Sequence, residues 1–408
     1  MFPEKPVLLL LLFCVFIMSN PVSSAGIPFS GNHTFDNLQA LISDIPDQSP
    51  YLTDYQQGMN KTPSDISSSL YLGKAALKAS NASEAERQFT YIIQNAPSSA
   101  PAWKGLFVSL TLQEKYDELY NKTVERIDRA PYDDWVWIEK GRAEQQKDNA
   151  PESLESFKRA LTLNPKNIFA HYYAAWSHQR LHQYQNAIKA FEKVKVLSPQ
   201  YGGADGNIGF LYLGMGEYEN ALPYLENALA WYPDWAEARR SKAMILYHLG
   251  EKEDALAAFD EAISLSPEYP NTYLSKAEAL SDMERYTEAL APVETGLSFE
   301  TNNTDLMMMK GDILMQLNRF DDAHEIFENI TTIYEVDPDR ENNIFNGLYS
   351  WWARGYCMEQ RGDTTAAKSA YSRALNEIES DKVSRSSGDI WHLKSKILTG
   401  LGEYQKAE

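Results

Sequence analysis

Residues 236–267 read AEARRSKAMILYHLGEKEDALAAFDEAISLSP. Small residues stand at Ala243, Ala255 and Ala262, Phe259 lies one turn beyond Ala255, and Gly250 and Pro267 punctuate the stretch. Apolar residues keep helical spacing on both sides of Gly250, so the stretch predicts two helices joined by a tight turn and ended by proline. Outward from here the same columns return every 34 residues. Prolines occupy Pro97, Pro131, Pro165, Pro199, Pro233 and Pro267. Small residues recur at Gly73, Gly141, Ala175, Gly209, Ala243, Ala277 and Gly311. A second small column runs Ala85, Ser153, Ala187, Ala221, Ala255, Ala289 and Ala323. Four residues beyond it stand Phe89, Phe157, Phe191, Leu225, Phe259, Val293 and Phe327.

Small residues at a helix crossing let two backbones approach, and a large apolar residue one turn later fills the adjoining groove. Proline ends the second helix because it donates no amide hydrogen and restricts the residue before it. Gly216, Gly250, Asn318, Gly362 and Gly402 fall where the first helix must stop, a place that calls for a left-handed residue.

The columns resemble the tetratricopeptide repeat, Trp-x2-Leu-Gly-x2-Tyr, then Ala-x3-Phe, then Pro. In the opening stretch Ala255, Phe259, Ala262 and Pro267 match, while Arg239 stands in the tryptophan column and Leu246 in the tyrosine column. The resemblance implies an all-α, right-handed α-solenoid of tandem helix-turn-helix repeats. Residues 66–337 hold eight units in 34-residue register, and 338–408 hold a ninth unit and a truncated tenth. Residues 26–65 carry no such period; they form a leader with one amphipathic helix expected over 35–45, where Phe35, Leu38, Ile42 and Ile45 share a face.

Residues 1–25 are expected to be a signal peptide. Val7 to Met18 is an unbroken apolar run of 12 residues, too short to span a bilayer, and small residues precede Gly26. An uncleaved anchor is the alternative. Export leaves Cys357 as the one thiol of the processed chain, and it reads as a small core residue. Asn-x-Ser/Thr triplets at Asn32, Asn60, Asn81, Asn121, Asn302 and Asn329 are glycosylation candidates.

A formal charge of −19 argues against nucleic acid and anionic membrane as partners. No small-molecule substrate and no cofactor is implied. The run Tyr201-Gly-Gly-Ala-Asp-Gly206 lacks the lysine of a phosphate loop and reads as a loose helix start. His324-Glu325 lacks the second histidine of a zinc-protease helix. His171, His178 and His182 share a helix face at spacings of seven and four, yet they stand in packing and turn columns, so no metal is expected.

Binding is the expected work of the chain. The resemblance implies that first helices line a concave groove holding an extended peptide or partner helix. On that face fall Trp135 and Arg142; Phe169, Tyr172 and Trp176; Phe210; and Arg240, Met244 and Tyr247. Gly203 and Gly206 suggest a notch between Trp176 and Phe210. The carboxylates Glu237, Glu278, Asp305 and Asp312 speak against the basic clamp that family members use for an anionic peptide terminus. The reading is a non-catalytic protein-interaction scaffold, exported to the envelope or beyond, with homodimerisation expected through the C-terminal end. Two alternatives stand beside it: the repeat portion of a larger envelope glycosyltransferase or peptidase, and a self-assembling structural array.

Overall fold

The computed structural model describes residues 66–199, 203–336, 344–379 and 388–403. The expected signal peptide, the helix over 35–45 and the triplets at Asn32 and Asn60 lie outside them. Among the described residues 19 helices form and no strand. They come as pairs: α1 (Ile66–Lys78) and α2 (Ala82–Asn95), α3 (Ala100–Leu112) and α4 (Tyr116–Arg129), α5 (Asp134–Gln146) and α6 (Ala150–Leu163). Next follow α7 (Ile168–Arg180) and α8 (Tyr184–Leu197), then α9 (Gly203–Gly214) and α10 (Tyr218–Trp231). The series goes on with α11 (Ala236–His248) and α12 (Lys252–Leu265), α13 (Pro270–Asp282) and α14 (Tyr286–Phe299), α15 (Thr304–Gln316) and α16 (Phe320–Val336). Last are α17 (Ile344–Gln360), α18 (Thr364–Glu379) and α19 (Gly388–Leu401). This is the all-α repeat solenoid that the columns predict. Contacts divide it into an N-terminal unit ending at Pro233 and a C-terminal unit beginning at Asp234.

The turn inside each pair is set by one left-handed residue. Ser80, Glu114, Asp148, His182, Gly216, Gly250, Glu284 and Asn318 have positive φ and stand 34 residues apart; Gly362 and Gly402 repeat the feature later. The sequence reading found the glycines and Asn318. It passed over Ser80, Glu114, Asp148 and Glu284, because the backbone there adopts a conformation costing an L-residue about 1–2 kcal/mol, and packing overrides that cost.

Each proline of the 34-residue column lies two residues beyond the end of a second helix, from Asn95 before Pro97 to Leu265 before Pro267. The residue between them is pulled out of the helical region, as at Ala96 with φ −141° and ψ 73°, as the proline ring demands. Glu300 has the same geometry, φ −136° and ψ 87°, although Thr301 follows it. Docking of the next helix therefore sets this turn, and proline only favours it.

The small and aromatic columns meet as expected. A Cβ on Gly141 would come within 2.5 Å of the Phe157 ring, and one on Gly311 equally close to Phe327. Phe89, Phe157, Phe191 and Phe327 are fully buried. Cys357 is buried too, its thiol pushed up to about 12 by burial and by Asp312, which suits packing rather than nucleophilic chemistry.

Candidate functional site

The tryptophan column has a structural task that the sequence reading missed. Trp103 Nε1 donates to the Pro97 carbonyl at 2.8 Å and Trp137 Nε1 to Pro131 at 3.1 Å. His171 Nε2 meets the Pro165 carbonyl at 2.9 Å, and the Tyr273 hydroxyl donates to Pro267 at 2.8 Å. The first helices α3, α5, α7 and α13 are thereby pinned to the turns that precede them. A side-chain donor at that column is the signal, whichever residue supplies it.

The three histidines each have a local partner. His171 is held by Pro165, His178 Nδ1 pairs with Gln183 Oε1 at 2.7 Å, and His182 sits at the turn, with Nδ1 2.9 Å from the Tyr184 hydroxyl. Among the described residues no group of three or more His, Cys, Asp or Glu is arranged to hold a metal. No described helix is long and apolar enough to cross a membrane.

In the N-terminal unit, Trp135 is half-buried, 5.6 Å from Phe107 between ring centres, with Lys104 Nζ 5.3 Å from its own. Arg142 pairs with Glu139 at 2.7 Å and lies 5.4 Å from the Tyr173 ring centre. Burial works against the Arg142 charge, but Glu139 and Tyr173 hold its pKa above the usual arginine value. Tyr172 is buried; its ring centre lies 5.5 Å from Phe191 and 6.3 Å from Trp176. Phe169, Trp176 and Phe210 remain half-buried on their first helices. Gly203 and Gly206 are buried on the helix that carries Phe210. Asn207 donates to the Gly203 carbonyl at 2.8 Å, and the neighbouring Asp205 receives Lys195 at 2.5 Å.

In the C-terminal unit each first helix touches the next one, through α11, α13, α15, α17 and α19. Arg240 lies 3.9 Å from Glu237 and donates to Ser275 at 3.4 Å. Met244 is buried beside it. The Tyr247 hydroxyl, pushed up to about 12 by burial and Asp282, donates to Asp282 at 3.3 Å. Burial raises the carboxyl pKa values of Glu237, Asp282 and Asp305. Glu278 goes up to about 8, through burial first and then Asp282 and Asp305. Asp312 goes to about 7 by burial, although the Tyr349 hydroxyl donates to it at 2.7 Å. Sequence reasoning found most of these acids but missed Asp282.

It also missed the aromatic face of α17. Phe345, Tyr349, Trp352 and Tyr356 follow at spacings of four, three and four, which puts them on one face. That spacing was the available signal, hidden because the 34-residue register slips before the helix.

Tetratricopeptide repeat family models match residues 169–201 and 208–270. No curated protein matches the chain in sequence. Among solved structures the chain is similar to YrrB, described as a TPR protein with an unusual peptide-binding site. The two are 19% identical with a TM-score of 0.39, and the match covers 45% of this chain and 95% of that one. A tetratricopeptide repeat protein from Parabacteroides merdae is 16% identical, with a TM-score of 0.43 and coverages of 64% and 91%. The APC/C hetero-tetramer Cut9-Hcn1 is 17% identical, with a TM-score of 0.48 and coverages of 73% and 58%.

Proposed function

Because this chain is a tetratricopeptide-repeat protein, a fold that supports protein-interaction scaffolds, we propose that it binds an extended peptide or helix of a partner along its first helices, without covalent chemistry. The observation that carries this reading is the set of half-buried rings Trp135, Phe169, Trp176 and Phe210 on successive first helices of the N-terminal unit. Rings anchored on rigid helices offer a partner much area at little entropic cost. In this reading residues 1–25 direct export and are removed, the repeats work at the envelope or outside the cell, and the C-terminal end joins two copies.

The test is capture from the native envelope fraction with the wild-type chain and with Trp176→Ala/Phe210→Ala. A partner held by the wild type and lost by the folded double variant is the expected result. Equal capture by both would overturn the assignment of these rings. Mass spectrometry of the exported protein is expected to find Gly26 at its N-terminus.

A further inference from the structure

The C-terminal unit presents a different surface on its first helices. Along α17 the ring centres of Phe345 and Tyr349 lie 6.1 Å apart, Tyr349 and Trp352 5.3 Å, and Trp352 and Tyr356 5.8 Å. Tyr349 is buried, while Phe345, Trp352 and Tyr356 are half-buried. The neighbouring first helices add carboxylates. From α15, Asp312 receives the Tyr349 hydroxyl and Asp305 receives Asn346 Nδ2 at 3.4 Å. From α13 come Glu278 and Asp282.

Cations do not match these acids. Arg240 is shared by Glu237 and Glu278, Lys252 lies near Asp282, and Lys396 of α19 faces Asp312, so three cations face five acids. Among the described residues no donor is hydrogen-bonded to the Glu278 carboxylate. A buried carboxyl with too little counter-charge is costly as an anion and takes up a proton instead, and a ligand that brings a further cation lets it ionise. The chain itself makes one such contact: Lys396 Nζ lies 4.9 Å from the Trp352 ring centre, within the field of Asp312, a cation over an aromatic beside an acid.

We propose that this face of the C-terminal unit docks a lysine- or arginine-bearing extended segment of a partner protein. Its cations sit against Glu278 and Asp305, and its apolar residues lie on Trp352 and Tyr356. The inference rests on the reading that first helices receive the partner, and it names the chemistry of what they receive. An acidic segment would leave the carboxylates uncompensated and is rejected.

Fluorescence anisotropy of the full chain with a labelled (Arg-Leu)4 peptide tests it, with (Glu-Leu)4 as the counterpart. Binding of the basic peptide alone is expected, weakened about tenfold by Glu278→Gln/Asp305→Asn and by Trp352→Ala. Asp254→Asn/Glu268→Gln changes the net charge equally at exposed positions and is expected to leave binding unchanged. Lys396→Ala frees Trp352 and Asp312 and is expected to tighten binding about threefold, a gain that a merely structural role would not produce. Equal weakening by both acid pairs, or no binding of the basic peptide, overturns the inference. If the native partner is then still lost with Trp176→Ala/Phe210→Ala, the groove reading stands without it. If native capture survives that double variant as well, the groove reading falls too.

Discussion

In the N-terminal unit, charges buried near the first helices are closed into pairs. Arg142 holds Glu139 at 2.7 Å, Lys195 holds Asp205 at 2.5 Å, and Lys140 holds Glu144 at 2.5 Å. In the C-terminal unit the corresponding helices carry Glu237, Glu278, Asp282, Asp305 and Asp312, and burial raises the pKa of each. Both units use the same small, aromatic and left-handed columns. The columns thus fix how helices pack and leave the outward positions of the first helix free to differ, and recognition can diverge there without disturbing the fold.

Breaking the shared part has the largest expected effect. Phe157→Ala and Phe327→Ala each empty a fully buried ring site and are expected to cost about 3–5 kcal/mol in urea unfolding. A much smaller loss in one unit would show that the columns do unequal work.

The next effect separates the units. Arg142→Met leaves Glu139, whose side chain is 3% exposed, buried without its cation, at an expected cost of about 3 kcal/mol. Adding Glu139→Gln is expected to restore most of the loss. Additive losses in a double-mutant cycle would mean that the pair is not what holds these groups.

Glu278→Gln should act in the opposite direction and more weakly. A carboxyl raised from 4.5 to about 8 binds its proton more tightly in the folded state. Its contribution to stability is complete below pH 4.5 and is lost as pH climbs through about 8. The thermal midpoint of the wild type is therefore expected to fall between about pH 5 and 9, and Glu278→Gln to flatten that decline. A variant with an unchanged pH slope would count against this.

The smallest effect returns to what the units share. Asp148→Gly in one and Glu284→Gly in the other relieve positive φ values of 58° and 59°, and each is expected to add about 0.5–1 kcal/mol. Gly250→Ala, at φ 90°, is expected to cost about the same amount.

Much of this protein was legible in one dimension. The prolines, the small columns and the turn glycines follow from local sterics repeated every 34 residues, so the sequence alone determined the helix pair, its stacking and the place of Cys357 in the core. The face of each first helix was legible as a set of candidates: Trp135, Phe169, Trp176 and Phe210 stay half-buried, while Tyr172 and Met244 pack inward. Other features were decided by tertiary structure alone. Ser80, Glu114, Asp148 and Glu284 take left-handed turns because the packed helices require it. Tyr349 reaches Asp312 from the adjacent repeat, and Glu278 lies near Asp282 of its own helix and Asp305 of the next first helix. The reason is physical: steric columns act between near neighbours at fixed spacing, whereas desolvation and charge pairing depend on which side chains meet from separate repeats.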